Sequence, residues 1–443
     1  MKSLSVRLAL FLLLSLAPAA QQSQTTVFAG VNVLPMDRNA LLRDQTVVVR
    51  DGRIVEIGSS RSVKAPAGAI RVEAAGKYLM PTLAEMHAHI PGAKAPDAAI
   101  ERTLFLYAAN GIGTIRGMLG DPRHLVYRER AAKGEIVSPR IYTSGPSFNG
   151  NSAPTVDGAV QMVAAQKQAG YDLLKIHPGV KRDVFDALAA KAREVGIPFA
   201  GHVPLDVGLD RALEAKYATI DHLDGFVEAL AKNPLQSQFF GLNLINEVDE
   251  SRIPDLVKKT KAAGTAMVLT ETLFVQLLNE EDPKVMAQRP EIKYLDPPQA
   301  LDGWIAQKQK MLQIPAADRA KYLALRHKII QALHKAGVPF LLGSDAPQWW
   351  NVPGFSIHRE LQVMVAAGFT PYEALRSGTV NVATYFGTAD SSGTVTKGKR
   401  ADLLLLDANP IDDITNSSKI AGVMLGGRWM PKSEIAARLE SGK

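Results

Sequence analysis

The stretch Met80-Pro-Thr-Leu-Ala-Glu-Met-His-Ala-His89 decides how the rest of the chain is interpreted. It is a short apolar run that ends in two histidines, His87 and His89. Because side chains alternate between the two faces of a β-strand, both histidines point the same way if this run is a strand. Imidazole is the commonest metal ligand in proteins, so the pair is a candidate metal site. The chain has nine histidines, however, and such a pair also arises by chance, so further ligands must be sought elsewhere.

From Met80 onward, short apolar runs alternate with helical stretches, which is the pattern of βα units around a parallel sheet. Several runs follow a glycine that is expected to end a helix, namely Gly111, Gly196, Gly264 and Gly337. The predicted strands are Leu79–His87, Thr114–Arg116, Arg140–Thr143, Leu173–Ile176, Phe199–Val203, Thr219–His222, Ala266–Leu269 and Phe340–Ser344. Eight strands of this spacing predict an α/β fold, a (β/α)8 TIM-type barrel over residues 80–390.

Short β-rich runs flank the predicted barrel on both sides. Residues 21–79 contain a strong hairpin signal at Asp51-Gly52 and are expected to form antiparallel strands. Residues 391–435 have the same texture, so the two segments together predict a small β-sandwich domain built from both termini, with two unrelated β caps as the alternative. Residues 229–320 are longer than one βα unit needs, which predicts an enlarged loop or lid.

The N-terminus has the pattern of a secretory signal peptide over residues 1–20. A basic start is followed by an apolar run, Leu8 to Leu16, and by small residues that suit cleavage. The run is too short to span a bilayer as a stable helix, although a buried N-terminal helix is the alternative interpretation. We therefore expect an exported protein, periplasmic or secreted.

The composition of the chain limits the kinds of partner that it is expected to bind. The absence of cysteine excludes disulfides and thiolate chemistry. The net charge of +7 comes from basic residues mixed with acidic ones, without a basic stripe, so nucleic-acid binding is disfavoured. No second apolar stretch reaches transmembrane length, so no membrane contact is expected after signal cleavage. The expected partner is a small-molecule substrate, and a homo-oligomer is compatible with the sequence.

Further ionisable residues fall at or near the ends of the predicted strands, where barrel enzymes keep their chemistry. These residues are Lys175, His202, His222 and Asp345, in addition to His87 and His89. Histidine and carboxylate donors suit Zn²⁺, with Mn²⁺, Co²⁺ or Ni²⁺ as alternatives, and two such ions could activate water and polarise a carbonyl. A protonated Lys175 would be repelled by cations, so it is either a buried lysine paired with a carboxylate or a bridge whose amine is modified to carry oxygens.

Eight stretches between about residues 28 and 430 resemble the amidohydrolase superfamily of metal-dependent hydrolases, in its imidazolonepropionase-like and prolidase-like branch. The matching stretches are MPTLAEMHAH, NGIGTIRGM, YDLLKIHPG, GHVPLDVG, YATIDHLDG, GVPFLLGSDAP, FSIHRELQVMVAAGFTPYEAL and GTVTKGKRADLLLLDANP. All six ligand positions of the superfamily pattern are filled. The distance from His89 to Lys175 is shorter than in many relatives, which concerns substrate specificity and not the metal site.

The resemblance implies a role for each of these residues. His87, His89 and Asp345 would hold the more buried of two divalent metal ions, with Zn²⁺ expected. His202 and His222 would hold the more exposed ion, and a carbamylated Lys175 would bridge both. Asp345 would also act as general base and acid, moving a proton from the bridging hydroxide to the leaving amine.

Three further residues are candidates for substrate contact. His177 lies two residues beyond Lys175, Tyr142 lies in the third predicted strand, and Trp349 lies in the loop that follows Asp345. A loop histidine, a core tyrosine and a structurally packed tryptophan are the respective alternatives.

The expected function is hydrolysis of an amide or peptide C–N bond in a small substrate of the dipeptide or N-acyl amino acid type. A carboxylester, lactone or phosphotriester hydrolase is the alternative on the same site, because an activated water attacks any of these centres. A non-catalytic binding protein that retains the fold is the alternative from another class.

Overall fold

The computed structural model describes residues 25–441. The predicted signal peptide, residues 1–20, lies outside the described residues. The strands are β1 (Thr25–Val33), β2 (Leu42–Arg50), β3 (Arg53–Ser59), β4 (Ile70–Glu73), β5 (Tyr78–Pro81), β6 (Leu83–Ala88), β7 (Ile112–Gly117), β8 (Arg140–Thr143), β9 (Leu174–Ile176), β10 (Phe199–Gly201), β11 (Thr219–Asp221), β12 (Ala266–Val268), β13 (Leu403–Leu406), β14 (Ile420–Leu425) and β15 (Arg428–Pro431).

Fifteen α-helices lie between and around the described strands. They are α1 (Asp97–Ala109), α2 (Pro122–Ala132), α3 (Val156–Ala169), α4 (Arg182–Val195), α5 (Gly208–Glu214), α6 (Phe226–Leu230), α7 (Ile253–Ala263), α8 (Glu271–Leu278), α9 (Pro283–Met286), α10 (Ala300–Leu312), α11 (Ala316–Lys335), α12 (Ser356–Ala366), α13 (Pro371–Ser377), α14 (Val380–Tyr385) and α15 (Lys432–Ser441). The four glycines expected to end helices all have positive φ, between 66° and 79°. No described helix is both long enough and apolar enough to cross a membrane.

Strands from both terminal segments lie in one sheet. Its order is β15-β14-β13-β5-β1-β2-β3, with β4 also beside β1. The predicted hairpin at Asp51-Gly52 joins β2 and β3, and both turn residues have the positive φ that a tight hairpin of this kind requires. The expectation of a purely antiparallel module is wrong, because β1 pairs in parallel with both β4 and β5. After β3 the chain crosses to the far side of β1, and such a crossover returns strands in parallel.

The middle of the chain builds two parallel sheets, β6-β7-β8 and β9-β10-β11-β12. Single parallel bridges lie between them: Ser144 pairs with Leu173, Met267 with Phe340, and Ala88 with Ala346. The first predicted strand is divided at Thr82, whose N–H donates to the Asp402 carbonyl, so that β5 belongs to the terminal sheet and β6 to the parallel one.

The eighth predicted strand, Phe340–Ser344, is not a regular strand. Its backbone N–H groups donate hydrogen bonds to several different segments instead of to one neighbouring strand. Leu341 N–H donates to the Met267 carbonyl, Leu342 N–H to the Ser377 carbonyl, and Ser344 N–H to the Glu85 carboxylate. Apart from the divided first strand, the other six predicted strands of this region are present, with ends that shift by a few residues.

Residues 229–320 contain β12 and several helices, among them α7, α8 and α10, so the stretch is largely helical. Its role as a lid stays a prediction, as do the domain boundaries and the sandwich arrangement.

The buried carboxyl group of Glu360 accepts hydrogen bonds from the start of one helix near the site. Glu360 of α12 accepts hydrogen bonds from the N–H groups of Glu271 (2.9 Å) and Thr272 (2.8 Å) in the first turn of α8. These N–H groups have no partner within their own helix, so Glu360 satisfies them. Burial raises the pKa of Glu360 to about 8, although the two backbone donors act in the opposite direction.

This shift predicts a pH dependence of stability. Between about pH 4.5 and 8 the folded protein keeps a proton on Glu360 that the unfolded chain has released. The free energy of unfolding should therefore fall as the pH rises through this window, by at most about 1.4 kcal/mol per pH unit from this group. Urea unfolding of the wild type and of Glu360→Gln at pH 5 and pH 8 measures it. The wild type should lose stability relative to the variant as the pH rises, whereas the exposed Glu194→Gln should follow the wild type; parallel pH profiles for all three would contradict the prediction.

Candidate metal centre

The structure brings the six predicted ligands together at the carboxyl ends of the parallel strands. His87 lies in β6 and His89 directly after it, and Asp345 lies in the irregular segment that pairs beside them. Lys175 lies in β9, His202 follows β10, and His222 follows β11. Neighbouring parallel strands end at the same edge of a sheet, which is why residues so distant in sequence become neighbours.

His87, His89 and Asp345 form the tightest part of the cluster. Each offers one ligand atom, and these atoms lie within 4.8 Å of one another. Asp345 Oδ1 lies 2.7 Å from His89 Nε2 and 3.7 Å from His87 Nε2. Two imidazoles and a carboxylate converging on one point are a donor set that suits a divalent transition metal.

Lys175, His202 and His222 continue the cluster from this group. Lys175 Nζ lies 3.2 Å from His87 Nε2. The ring of His222 lies 4.6 Å from that of His87 and 4.6 Å from that of His202, measured between centroids. The four histidines therefore lie in an unbroken series of ring contacts, His89–His87–His222–His202.

Neighbouring side chains orient the histidine rings. Asp224 Oδ2 lies 2.9 Å from His202 Nδ1, and Thr270 Oγ1 lies 2.7 Å from His222 Nδ1. Thr270 donates its own proton to the Leu269 carbonyl, so it accepts from His222 Nδ1–H. In both rings Nε2 is then the atom that retains a free lone pair. A metal-binding histidine commonly has such a partner on its other nitrogen.

His87 has a comparable neighbour with poorer alignment. Asp221 Oδ2 lies 2.8 Å from His87 Nδ1, yet Nδ1 has no hydrogen-bonded partner because the oxygen lies off the N–H direction. Asp221 itself accepts from Thr219 Oγ1 and faces the buried guanidinium of Arg116. Both ring nitrogens of a histidine as deeply buried as His87 normally have a hydrogen-bond partner.

Burial controls the protonation of these groups. It lowers the pKa of His202 to about 3 and the pKa values of His87 and His222 well below their usual range. The rings are therefore neutral, which is the form that binds metals. Burial alone would raise the pKa of Asp345, but His87, the hydrogen bond with His89 and Lys175 hold it below its usual value, so Asp345 is a carboxylate. This donor set fits divalent metal ions.

Lys175 is fully buried, and burial lowers its pKa to about 8. Gly201 makes room for its side chain: a Cβ at Gly201 would lie 2.8 Å from Lys175 Cδ and 2.6 Å from the Ile176 carbonyl oxygen. Gly201 also has a φ of +119°, a conformation that only glycine adopts without strain.

This close approach predicts a loss of stability and metal binding in Gly201→Ala. The added methyl group should displace Lys175 and cost about 1–3 kcal/mol from overpacking, in addition to the backbone strain. Gly196→Ala is the matched control, because Gly196 has a φ of +66° but nothing within 4 Å of its Cβ position. Metal content by elemental analysis and urea unfolding measure both effects. Equal losses in the two variants would show that the space beside Lys175 is unimportant.

The three weaker predictions lie in different places. The ring of His177 lies 5.1 Å from that of His202, and burial lowers its pKa to about 3. Trp349 is half-buried, and its ring lies 5.6 Å from that of Phe239. Tyr142 is stacked on Phe386 at 3.6 Å, in a small cavity that none of the six predicted ligands lines, so the structure does not bring it together with the cluster.

Sequence reasoning missed several residues around the cluster. Glu85 is buried and accepts hydrogen bonds from the N–H groups of His87 and Ser344, which ties β6 to the segment that carries Asp345. Glu85 could have been predicted to lie near the cluster, because residues two apart in a strand point to the same face, as Glu85, His87 and His89 do. Asp224 and Phe240 had no such signal, since both lie in irregular loops.

The chain is similar to known proteins over most of its length. Residues 78–430 match the sequence profile described as the amidohydrolase family. An ochratoxinase of Aspergillus niger is 24% identical, with 90% of this chain and 85% of the relative aligned. An imidazolonepropionase of Sphingopyxis alaskensis is 23% identical, with coverage of 87% and 92%. Among solved structures, a Xaa-Pro dipeptidase superposes with a TM-score of 0.68 at 17% identity, over 92% of this chain and all of that one.

Proposed function

Because the chain belongs to the amidohydrolase family, we propose that it is a hydrolase that uses two divalent metal ions to cleave an amide or peptide C–N bond in a small substrate. The observation that carries the proposal is the convergence of His87, His89 and Asp345, with Lys175 and His222 in contact with His87. Similarity to an ochratoxinase, an imidazolonepropionase and a Xaa-Pro dipeptidase supports the choice of bond. A dipeptide or N-acyl amino acid is the proposed substrate type.

We further propose that the parallel strands form a closed eight-stranded barrel and that the terminal strands form a sandwich-like domain. The single bridges from β8 to β9, from β12 to Phe340 and from β6 to Ala346 support closure. Apolar residues on both faces of the terminal sheet, such as Phe28 on one and Val27 on the other, support a layered arrangement.

The residues fit two metal positions. We assign one ion to His87, His89 and Asp345, and the other to His202 and His222, with Zn²⁺ as the preferred metal. Lys175 would join the positions as a carbamate, formed when its neutral amine adds CO₂ and releases a proton. A pKa of about 8 leaves more of the amine neutral than an ordinary lysine would have.

The metal ions, when bound, supply Lewis acidity and lower the pKa of water. Asp345 is ionised and can accept a proton from the attacking water. It then donates that proton to the leaving nitrogen, which departs as an amine. Gln348 Nε2 lies 3.3 Å from Asp345 Oδ2 and limits the rotation of the carboxylate.

Export to the periplasm or the medium also stays a proposal, supported by the N-terminal sequence pattern. N-terminal sequencing of the mature protein tests it. A mature protein that still begins at Met1 would reject it.

The function predicts a dependence on bound metal. Chelation followed by dialysis should abolish hydrolysis of dipeptides and N-acyl amino acids, and Zn²⁺ should restore it, with about two ions per chain by elemental analysis. The same screen should contain lactones and carboxylesters, because the site could act on these as well. Activity that is indifferent to chelation would reject the proposal. A metal-loaded protein that binds but never cleaves would favour the non-catalytic alternative.

A further inference from the structure

Three aromatic rings extend outward from the histidine cluster, and we refer to Phe240, Phe239 and Trp349 as the aromatic wall. The ring of Phe240 lies 5.8 Å from that of His222 and 6.1 Å from that of His202. Phe239 lies 5.8 Å from Phe240, and Trp349 lies 5.6 Å from Phe239. All three residues are partly buried, so part of each residue remains open to solvent. The wall is therefore a continuous apolar surface that begins beside the proposed metal ligands.

The backbone holds this wall in an unfavourable conformation. Phe239, Phe240 and Trp349 have φ values of 46°, 55° and 39°, in the left-handed region that bulky residues rarely adopt. Strained positions of this kind persist only where surrounding contacts fix them, and they are concentrated at functional sites. The fixing contacts are present: Tyr322 Oη donates to the Phe240 carbonyl at 2.8 Å, and Gln238 N–H donates to Asn243 at 2.7 Å.

The wall shares its support with a proposed metal ligand. Phe274 lies behind Phe240, edge to face at 5.2 Å, and the guanidinium of Arg326 stacks 3.6 Å from the Phe274 ring centroid. Arg326 is fully buried, pairs with Glu271 at 2.7 Å, and donates to the His222 carbonyl at 2.8 Å. One buried ion pair therefore positions both the wall and His222 relative to each other.

We infer that the aromatic wall binds an aromatic or bulky apolar group on one side of the scissile amide, so that the enzyme prefers such substrates over small ones. The inference rests on the proposed function. A partly exposed aromatic surface gains free energy when an apolar group covers it, and ring pairs gain more through edge-to-face or offset contact. Because the wall adjoins His202 and His222, a group bound there stays within reach of the proposed reacting centre.

Two matched pairs of probes test the inference without assuming which side of the amide contacts the wall. N-benzoylglycine and N-acetylglycine differ in the acyl group, whereas N-acetylphenylalanine and N-acetylalanine differ in the amine part. Binding to the metal-depleted protein is measured by calorimetry, and kcat/KM is measured with Zn²⁺ present. We expect at least one aromatic member to bind about tenfold tighter than its small partner, since apolar groups are commonly discriminated by roughly 10–200-fold.

Variants of the wall identify the cause of any preference. Phe239→Ala and Trp349→Ala should reduce the ratio between aromatic and small probes to near one, while Trp349→Phe should retain most of it. A general loosening of the site would weaken both members of a pair equally and leave the ratio unchanged. Leu235→Ala is the matched control, because Leu235 precedes the wall in the same loop and is 71% exposed. It should leave the ratio as in the wild type.

The outcomes separate this inference from the proposed function. Equal binding of both members in both pairs, or a preference that survives Phe239→Ala and Trp349→Ala, overturns the wall as a specificity site. Metal-dependent hydrolysis without any aromatic preference would do the same and leave the function intact. Aromatic preference in binding together with no hydrolysis of any probe would overturn the proposed function and retain the wall as a binding surface.

Discussion

Asp345→Asn is expected to lower kcat by about 10²–10⁴-fold, the range that general acid–base groups contribute. The asparagine amide has nearly the same shape but cannot accept the proton of the attacking water. It also offers a weaker ligand beside His87 and His89, whose Nε2 atoms lie 3.7 Å and 2.7 Å from Asp345 Oδ1. Steady-state kinetics with Zn²⁺ in excess measure the effect, and circular dichroism checks that the fold is retained.

Asp206→Asn is the matched control for this variant. Asp206 is also an aspartate in a loop after a parallel strand, but it is exposed and pairs with the exposed Lys181. Its replacement should change kcat by less than about twofold, because exposed ion pairs contribute little. If Asp345→Asn kept more than a tenth of the wild-type kcat at full metal occupancy, Asp345 would not be the group that moves the proton.

Lys175→Ala should lose bound metal and activity together. Removing only an outer partner of a metal ligand commonly costs roughly 10–100-fold in metal affinity or activity, so losing Lys175 as the proposed bridging ligand should cost more. The truncation also leaves a space beside His87 where the buried side chain was. A small carboxylate such as acetate can enter this space and present two oxygens, as the proposed carbamate would. Part of the metal content and rate should therefore return in acetate.

Lys181→Ala is the control here, because Lys181 is 70% exposed and should affect neither quantity. A direct readout of the modification is ¹³C NMR of the protein equilibrated with ¹³C-bicarbonate. The wild type should give a carbamate resonance that Lys175→Ala lacks. A Lys175→Ala variant with full metal content and wild-type rates would leave the lysine as an ordinary buried cation.

The parallel strands were largely predictable from the sequence, because each is a short apolar run and several of them follow a glycine that ends a helix. The predicted strands were less accurate where backbone hydrogen bonds go to partners outside the regular pairing of a sheet. Phe340–Ser344 has the composition of a strand, but its donors are divided among Met267, Ser377 and Glu85, which composition cannot reveal. The parallel pairing of β1 was missed for a similar reason. The alternation of apolar residues predicts a strand, but it does not predict which strands pair with it or in which direction.

The site was partly predictable for a comparable reason. Alternation placed His87 and His89 on one face, and strand ends placed Lys175 and Asp345 near them. The supporting layer depends on loops without periodicity, so Asp224, Thr270 and Phe240 could not be anticipated. Tyr142 shows a further limit, because a strand position alone does not tell which end of the sheet a side chain approaches. Its ring stacks on Phe386 in a cavity that none of the six predicted ligands lines.

The strand that carries His87 continues directly from β5, and β5 is flanked by β13, whose residues come from near the other end of the chain. Contacts between such distant segments have a high loop-closure cost and form slowly. β5, which leads directly into the strand that carries His87, is therefore fully paired only after the C-terminal strands have been synthesised and β13 has docked beside it. A growing or truncated chain that lacks Leu403–Leu406 has every proposed metal ligand yet leaves β5 with an unpaired edge, which is a template for association with other chains.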